Sequence, residues 1–486
     1  MGASNTSGAR MAQLNPRDAE FIYHEGAGHL NHLIAVYFFE TSLHPSAEFT
    51  AEQAVDWVTA RLGCDRMFTQ RVQRTPLGLD HPYWVTDPDF DVRKHVYVNK
   101  INDTGWAALQ KPLSALLTTK MDLRRPPWEL HFFVGLEGLE ELPGRLTAVV
   151  LKSHHSAADG IAIRTLGEAI FSGKVQQAGS EPSVPFVRAR IFTKSLLGFP
   201  GRIYRFARQV PGNRRAQRDA DAAKKAGEWV ESLNERPAIR FNGKVSGAAS
   251  LEPMTMSGEQ VREIKDSVPG ATVNDVLLAV VGGALTRYLT EKDERPSDSL
   301  IAMVPRSVRK VEAWESANQL VALLVDMHTQ VESPLERLAL ISSSARSEKA
   351  RTSHPAVRRA GAAVETTPAP LMRLMAYARK RNDHSLDRPR YQHTMVSNIP
   401  LSVEGLTLAG APGAAVLAVQ APIDGDGLRH FMVAAAGGGL TLNVIADTAT
   451  MPDLHHYIEL LRASFDDLAA AAAMQTADSP NQEVAS

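Results

Sequence analysis

Apolar and polar positions along this chain switch between two periods, one of helices and one of strands. Ala51, Ala54, Val55, Val58 and Leu62 share one helical face, which predicts an amphipathic helix over residues 50–62. Phe68-Thr69-Gln70-Arg71-Val72 and Pro82-Tyr83-Trp84-Val85 are β-type runs. Leu146 to Leu151 is a short apolar run of strand length, after which Ile161, Ile163, Leu166 and Ile170 recur at helical spacing. In the second half, Val276, Leu277, Val280, Val281, Ala284 and Leu285 cover most of the circumference of a helix starting near Thr272, so that helix should be buried. Ile301 to Val304, Leu320 to Met327 and Tyr391 to Asn398 read as strands. Phe431 to Ala435 and Leu440 to Ala446 form a hairpin around Gly437-Gly438-Gly439, and Leu454 to Ala473 is a closing helix. Both halves mix strands and helices, so the class is α/β (α+β).

The chemistry concentrates where the run from Leu146 meets the helix from Ile161. The intervening Lys152-Ser153-His154-His155-Ser156-Ala157-Ala158-Asp159-Gly160 is a turn at a strand end, where side chains can face a cleft. Adjacent residues at a strand end point to opposite sides. One histidine can therefore face a reaction channel while the other packs behind it. Gly160 would allow the sharp exit that returns Asp159 under the loop. A neutral imidazole can take a proton from an alcohol. Ser156 lacks a Gly-x-Ser-x-Gly elbow and Cys64 is alone and distant, so a covalent nucleophile is not indicated. The simplest chemistry is direct: His155 deprotonates a bound hydroxyl, which attacks an activated carbonyl of a second substrate. A metal site at His154, His155 and Asp159 lacks a His-Glu-x-x-His or cysteine cluster. No metal and no cofactor are expected.

Length changes the picture by asking for two domains: 486 residues exceed one ordinary domain. A net charge of −1 provides no global field to draw nucleic acid, and a single cysteine fits a reducing compartment. Met1 to Arg10 is small and polar, without the apolar stretch of a signal peptide, and the apolar run Val276 to Leu285 is about half a bilayer span. The expected location is the cytoplasm. Charge is uneven, however. Arg188 to Arg218 carries nine Lys/Arg and no Asp/Glu, interleaved with Ile191, Phe192, Leu196, Leu197, Phe199, Ile203, Tyr204 and Phe206. That mixture suits a helix on an anionic membrane surface; it equally suits a crossover helix between domains with a solvated basic face. Val175 to Ser183 reads as linker. The expected division is a tail at 1–10, a first domain at 11–183, a basic crossover at 184–250, a second domain at 251–475 and a tail at 476–486.

Residues 154–160 resemble the His-His-x-x-x-Asp-Gly signature of the acyl-CoA-dependent acyltransferases, which include chloramphenicol acetyltransferase, condensation domains and the bacterial wax ester synthase/diacylglycerol acyltransferases. Further passages, in order, are similar to the last group: Leu14-Asn15-Pro16-Arg17-Asp18-Ala19-Glu20-Phe21, where Asn15 should cap a helix opened by Pro16; Phe90-Asp91-Val92-Arg93-Lys94-His95-Val96; Arg125-Pro126-Pro127-Trp128-Glu129; Asn274-Asp275; and Ser397-Asn398-Ile399-Pro400. Asn318-Gln319 is similar to the family too, which prefers Gly where Ala317 stands, and Pro127 is a second departure from the family pattern. The resemblance implies two chloramphenicol-acetyltransferase-like domains, each a mixed sheet flanked by helices, with a channel between them. It implies His155 as general base, Asp159 holding the loop through an ion pair, and acyl-CoA with diacylglycerol or a fatty alcohol as substrates. A membrane or lipid-droplet surface would be the peripheral partner. Trp128 either shapes the channel or clamps a strand entry. Asn274 and Asp275 either stitch the domains together or reach into the channel. Ser397 and Asn398 would hold the acyl donor or the developing oxyanion. Other classes that fit are a superfamily acyltransferase using a carrier-protein thioester, a polyketide-lipid acyltransferase, or a non-catalytic lipid-droplet coat protein.

Overall fold

The computed structural model of the protein describes residues 12–172, 188–229, 234–308, 316, 318–381 and 385–478. The expected tail at 1–10 and the linker at Val175 to Ser183 lie outside them. Two six-stranded sheets, flanked by helices, organise the two halves. Across the first sheet the strands run Thr407–Leu408, Ala411–Gln420, His32–Glu40, Leu146–His154, Trp128–Leu136 and Val96–Lys100. Across the second they run Leu320–Asp326, Ile301–Ser307, Thr394–Asn398, Leu428–Ala434, Leu440–Asp447 and Ala249–Met256. A small three-stranded sheet joins Ala12–Gln13 to the two early β-type runs.

Leu146–His154 lies inside the first sheet, paired antiparallel to both neighbours, and all nine of its residues are buried. Burial on both faces explains its continuous apolar run. Lys152 is tolerated there because its ammonium donates to the Thr119 carbonyl at 2.8 Å and lies 3.9 Å from Glu129. The neighbouring strand, His32–Glu40, sets His32 opposite His154. It is equally apolar, and the expectations above omitted it. The site-bearing turn therefore grows from the most buried part of the sheet.

The expected division at 251–475 needs correction. Ala411–Gln420 leaves the second half and pairs antiparallel with His32–Glu40, burying Val416, Leu417, Ala418 and Val419 in the first core. Without it, His32–Glu40 would present a long, bare apolar edge. The halves thus share a strand. The strand expected from Tyr391 begins at Thr394, and the closing helix runs to Asp478, past the expected tail start.

The basic segment is one helix, Arg188–Lys225, with Pro200 and Pro211 inside it. Ile191 packs with Tyr83 and Val85, Arg202 lies 3.0 Å from Asp80, and Ala216, Ala220 and Ala223 are buried further along. It is docked along its length, as a crossover helix would be. Yet it leaves Leu197 and Tyr204 75% and 62% exposed among its basic residues. Among the described residues, no helix is long and apolar enough to cross a membrane.

Candidate active site

The two histidines do diverge. The His154 ring is fully buried behind the turn. Its Nδ1 accepts from the Ser156 backbone N–H at 3.2 Å and lies 2.8 Å from Ser156 Oγ. With Nδ1 accepting, the proton sits on Nε2, which lies 3.4 Å from Glu25. Glu25 is itself buried and 3.0 Å from Lys120. Burial alone would raise the Glu25 pKa, but His154 and Lys120 bring it below the ordinary carboxylate value.

The His155 ring lies on the other side, stacked on Phe21 with centroids 4.1 Å apart and planes 4° from parallel. Its Nδ1 is buried and has no hydrogen-bond partner of good geometry. Burial is the main cause that lowers its pKa from 6.5 to about 4; its own backbone carbonyl, Asp159 and Asn318 oppose that shift. The ring is therefore neutral at physiological pH, which a base must be. Its main chain is fixed from two directions. The His155 N–H donates to the Asn31 carbonyl at 2.8 Å, and Asn31 donates to the Phe21 carbonyl at 2.7 Å. From the second half, Asn318 Nδ2 donates to the His155 carbonyl at 2.7 Å and to Asp18 at 2.8 Å.

Asp159 is fully buried and caps the helix Gly160–Phe171, accepting from the Ile161 and Ala162 N–H groups at 3.1 and 2.9 Å. Its second oxygen accepts from Gln319 N–H at 3.5 Å. These bonds tie Asp159 to the motif helix and to the main chain before Leu320. Gly160 acts differently from the expectation. It has no left-handed φ; a Cβ there would meet Ile399 Cγ2 at 3.3 Å. Its smallness lets the Ser397–Pro400 turn of the second half close on the motif.

Trp128 is fully buried, donates to the Phe68 carbonyl at 3.0 Å and stacks on His95. That is a core packing role, and it favours the strand-entry clamp over the channel. Asn274 and Asp275 do not bridge the halves either. Asn274 accepts from Asn398 at 2.9 Å, and Asp275 forms a capping box with Thr272, all within the second half. One carboxylate oxygen of Asp275 is buried without a partner. Ser397 is buried beside Asn398. Asp18, Phe21, Glu25, Asn31 and Asn318 were missed as site residues. Asp18 and Phe21 lay in the family-like passage Leu14 to Phe21, and Asn318 in the family-like Asn318-Gln319; Asp18 also shares the buried face of the helix Pro16–His24 with Ala19 and Ile22.

Two cavities flank the turn. One, of about 1100 Å³, is bordered by Ile161 of the motif helix and by Leu320; the other, of about 720 Å³, is bordered by Glu25. His155 lines neither, and is 7% exposed.

Solved structures share this architecture. A wax ester synthase/diacylglycerol acyltransferase from Marinobacter aquaeolei VT8 superposes with a TM-score of 0.63 at 21% identity, covering 95% of this chain and 100% of that one. A trichothecene 15-O-acetyltransferase from Fusarium sporotrichioides superposes with a TM-score of 0.55 at 13% identity, covering 95% of both chains. In sequence, a protein named as a probable diacylglycerol O-acyltransferase of Mycobacterium tuberculosis is 28% identical over 478 residues, covering 95% of this chain and 99% of that one. The model of the wax ester synthase/diacylglycerol acyltransferase catalytic domain matches residues 14–277, and that of the corresponding C-terminal domain matches residues 316–469. With its motif turn, its two sheets and both of these domains in order, the chain belongs to the wax ester synthase/diacylglycerol acyltransferase family.

Proposed function

We propose that this protein moves a long-chain acyl group from acyl-CoA to the hydroxyl of diacylglycerol, of a long-chain alcohol, or of both, with His155 as general base. The observation that carries the assignment to His155 is its ring: buried, neutral, fixed at both main-chain ends, and with Nδ1 uncommitted. A buried polar atom without a partner calls for an explanation, and a substrate group is one.

The step needs no covalent enzyme intermediate. His155 takes the hydroxyl proton as the oxygen attacks the thioester carbonyl carbon. The C–O bond forms and the carbonyl electrons move to oxygen. Collapse of this oxyanion reforms the carbonyl and breaks the C–S bond, and the imidazolium returns its proton to the departing CoA sulfur. The products are an ester and CoA. His154, held by Glu25 and Ser156, supports the turn. Asp159 positions it, and Gly160 admits the opposing turn. Ser397 and Asn398, with Asn274 behind Asn398, are assigned to polar contact with the acyl group or the oxyanion.

A lipid acceptor calls for access to a lipid surface. Exposed Leu196, Leu197, Ile203 and Tyr204, set among basic residues of the long helix, support peripheral binding to a membrane or lipid droplet. The reaction is tested by offering labelled palmitoyl-CoA with diacylglycerol or hexadecanol and separating the products. Triacylglycerol, wax ester or both are expected. Transfer from an acyl-carrier protein but not from palmitoyl-CoA overturns the donor assignment, and no transfer from either overturns the enzyme.

A further inference from the structure

The larger cavity has a composition that the reaction above does not explain. Among the described residues five arginines border it, Arg17, Arg306, Arg351, Arg358 and Arg359, against one carboxylate, Glu365. Two of the five are neutralised locally. Arg17 pairs with Glu365 at 3.2 Å, and Arg351 grips the buried Glu348 through two bonds of 2.8 and 2.9 Å. Among the described residues Arg359 pairs with Asp219 alone, at 3.6 Å, and Arg306 donates to the neutral Lys349 carbonyl at 3.4 Å and Ser353 Oγ at 3.0 Å. Arg358 makes no ion pair among the described residues and is exposed. Guanidinium groups gathered without matching acids repel one another, and an anionic ligand removes that cost. Their planar donor forks suit phosphate oxygens.

The place of the cavity is as informative as its charge. It opens between the edge strand Leu320–Asp326, the helix Pro355–Gly361 and the start of the motif helix at Ile161. Leu320 follows Gln319, whose N–H reaches Asp159. The cavity therefore touches the motif turn through Ile161 and Leu320 and is bordered by the arginines, with Arg306 paired to Val321 on the neighbouring strand. At about 1100 Å³ it reaches the upper end of the range typical of small-molecule sites. Resting on the acyl-CoA reading above, we infer that this cavity is the donor entrance. The phosphates of the CoA nucleotide are held by Arg306 and Arg358, with Arg359 beside them, and the thioester arm points inward past Ile161.

The test uses the full chain and CoA itself, without an acyl group. Calorimetric titration with CoA and with 3′-dephospho-CoA compares wild type with Arg358→Glu and with the milder Arg358→Ala/Arg359→Ala. Both side chains are exposed, so the double alanine variant keeps the fold even if the charge reversal does not. Wild type should bind CoA more tightly than 3′-dephospho-CoA. The variants should bind CoA at least about tenfold more weakly, lose the preference between the two ligands, and raise KM for palmitoyl-CoA more than they lower kcat. CoA affinity unchanged in both variants, with transfer activity intact in wild type, overturns the cavity assignment and leaves the reaction standing. Absence of transfer by wild type, with arginine-dependent CoA binding retained, does the reverse. Variants that lose binding to phosphatidylglycerol vesicles but keep CoA affinity show a lipid-headgroup site, which also overturns the inference.

Discussion

Burial keeps His155, the proposed base, neutral down to low pH, and this fixes how acyl transfer should respond to pH. Burial lowers its pKa to about 4, so the ring is already neutral well below the ordinary histidine value of 6.5. As pH falls, the base is lost only on approaching about 4. The kcat/KM for acyl transfer should therefore stay level from about pH 8 to about pH 5 and fall only below that. A descending limb centred near 6.5 would show that the catalytic group is not this ring in this environment. Asn318 makes a second test at the same scale. It donates to the His155 carbonyl and to Asp18, both buried. Asn318→Ala leaves Asp18 its bonds from Ser316 Oγ and the residue 318 N–H but takes the donor from the His155 carbonyl, and should cost about 1–3 kcal/mol of stability in denaturant titration. Asn318→Asp places a carboxylate against both oxygens and should be worse than alanine. Equal tolerance of the two would remove Asn318 from the site.

At the scale of elements, the motif is a strand end welded to a helix start. Asp159 serves as the cap of the helix Gly160–Phe171. Asp159→Ala should cost about 1 kcal/mol or more, whereas Asp159→Asn, which keeps a capping oxygen, should retain most of the thermal midpoint. If asparagine is as damaging as alanine, the carboxylate charge matters more than the cap. This element was legible in the sequence because a continuous apolar run, a polar turn and a helical apolar period follow one another within about twenty-five residues. The role of Gly160 was not legible, since its reason is Ile399, far away in the chain. Trp128 was left between two readings for a similar reason: its packing against Phe68 and His95, distant in the chain, is what favours the strand-entry clamp over the channel. Asp275 was half legible. Its cap with Thr272 is local, while the partner of Asn274 comes from another strand.

For the whole molecule, the two halves are interlocked rather than apposed. Ala411–Gln420 completes the first sheet, and Asn318 and Ile399 from the second half meet the motif turn. Asn318 reaches His155 across 163 residues of sequence and Asp18 across 300, so no local pattern could announce these contacts. The alternation of strands and helices nevertheless forecast the α/β class, because hydrophobic period is local. The same scale holds the surface proposed above to meet lipid. Besides the long helix, Leu77 is 82% exposed and the Arg373 guanidinium lies against Gly78; Leu374, Met375 and Tyr377 are also exposed on the helix Ala369–Lys380. Leu196→Glu/Leu197→Glu should weaken sedimentation with anionic vesicles while leaving transfer to a detergent-dispersed acceptor in place. Unchanged sedimentation would exclude that helix from the lipid surface.

The most direct test of the account is the rate of ester formation from labelled palmitoyl-CoA by wild type and by His155→Ala, each shown to be folded by its thermal midpoint. The prediction is triacylglycerol or wax ester from wild type and a loss of about 10²–10⁴-fold in the variant. A folded His155→Ala protein that makes ester at the wild-type rate would contradict it.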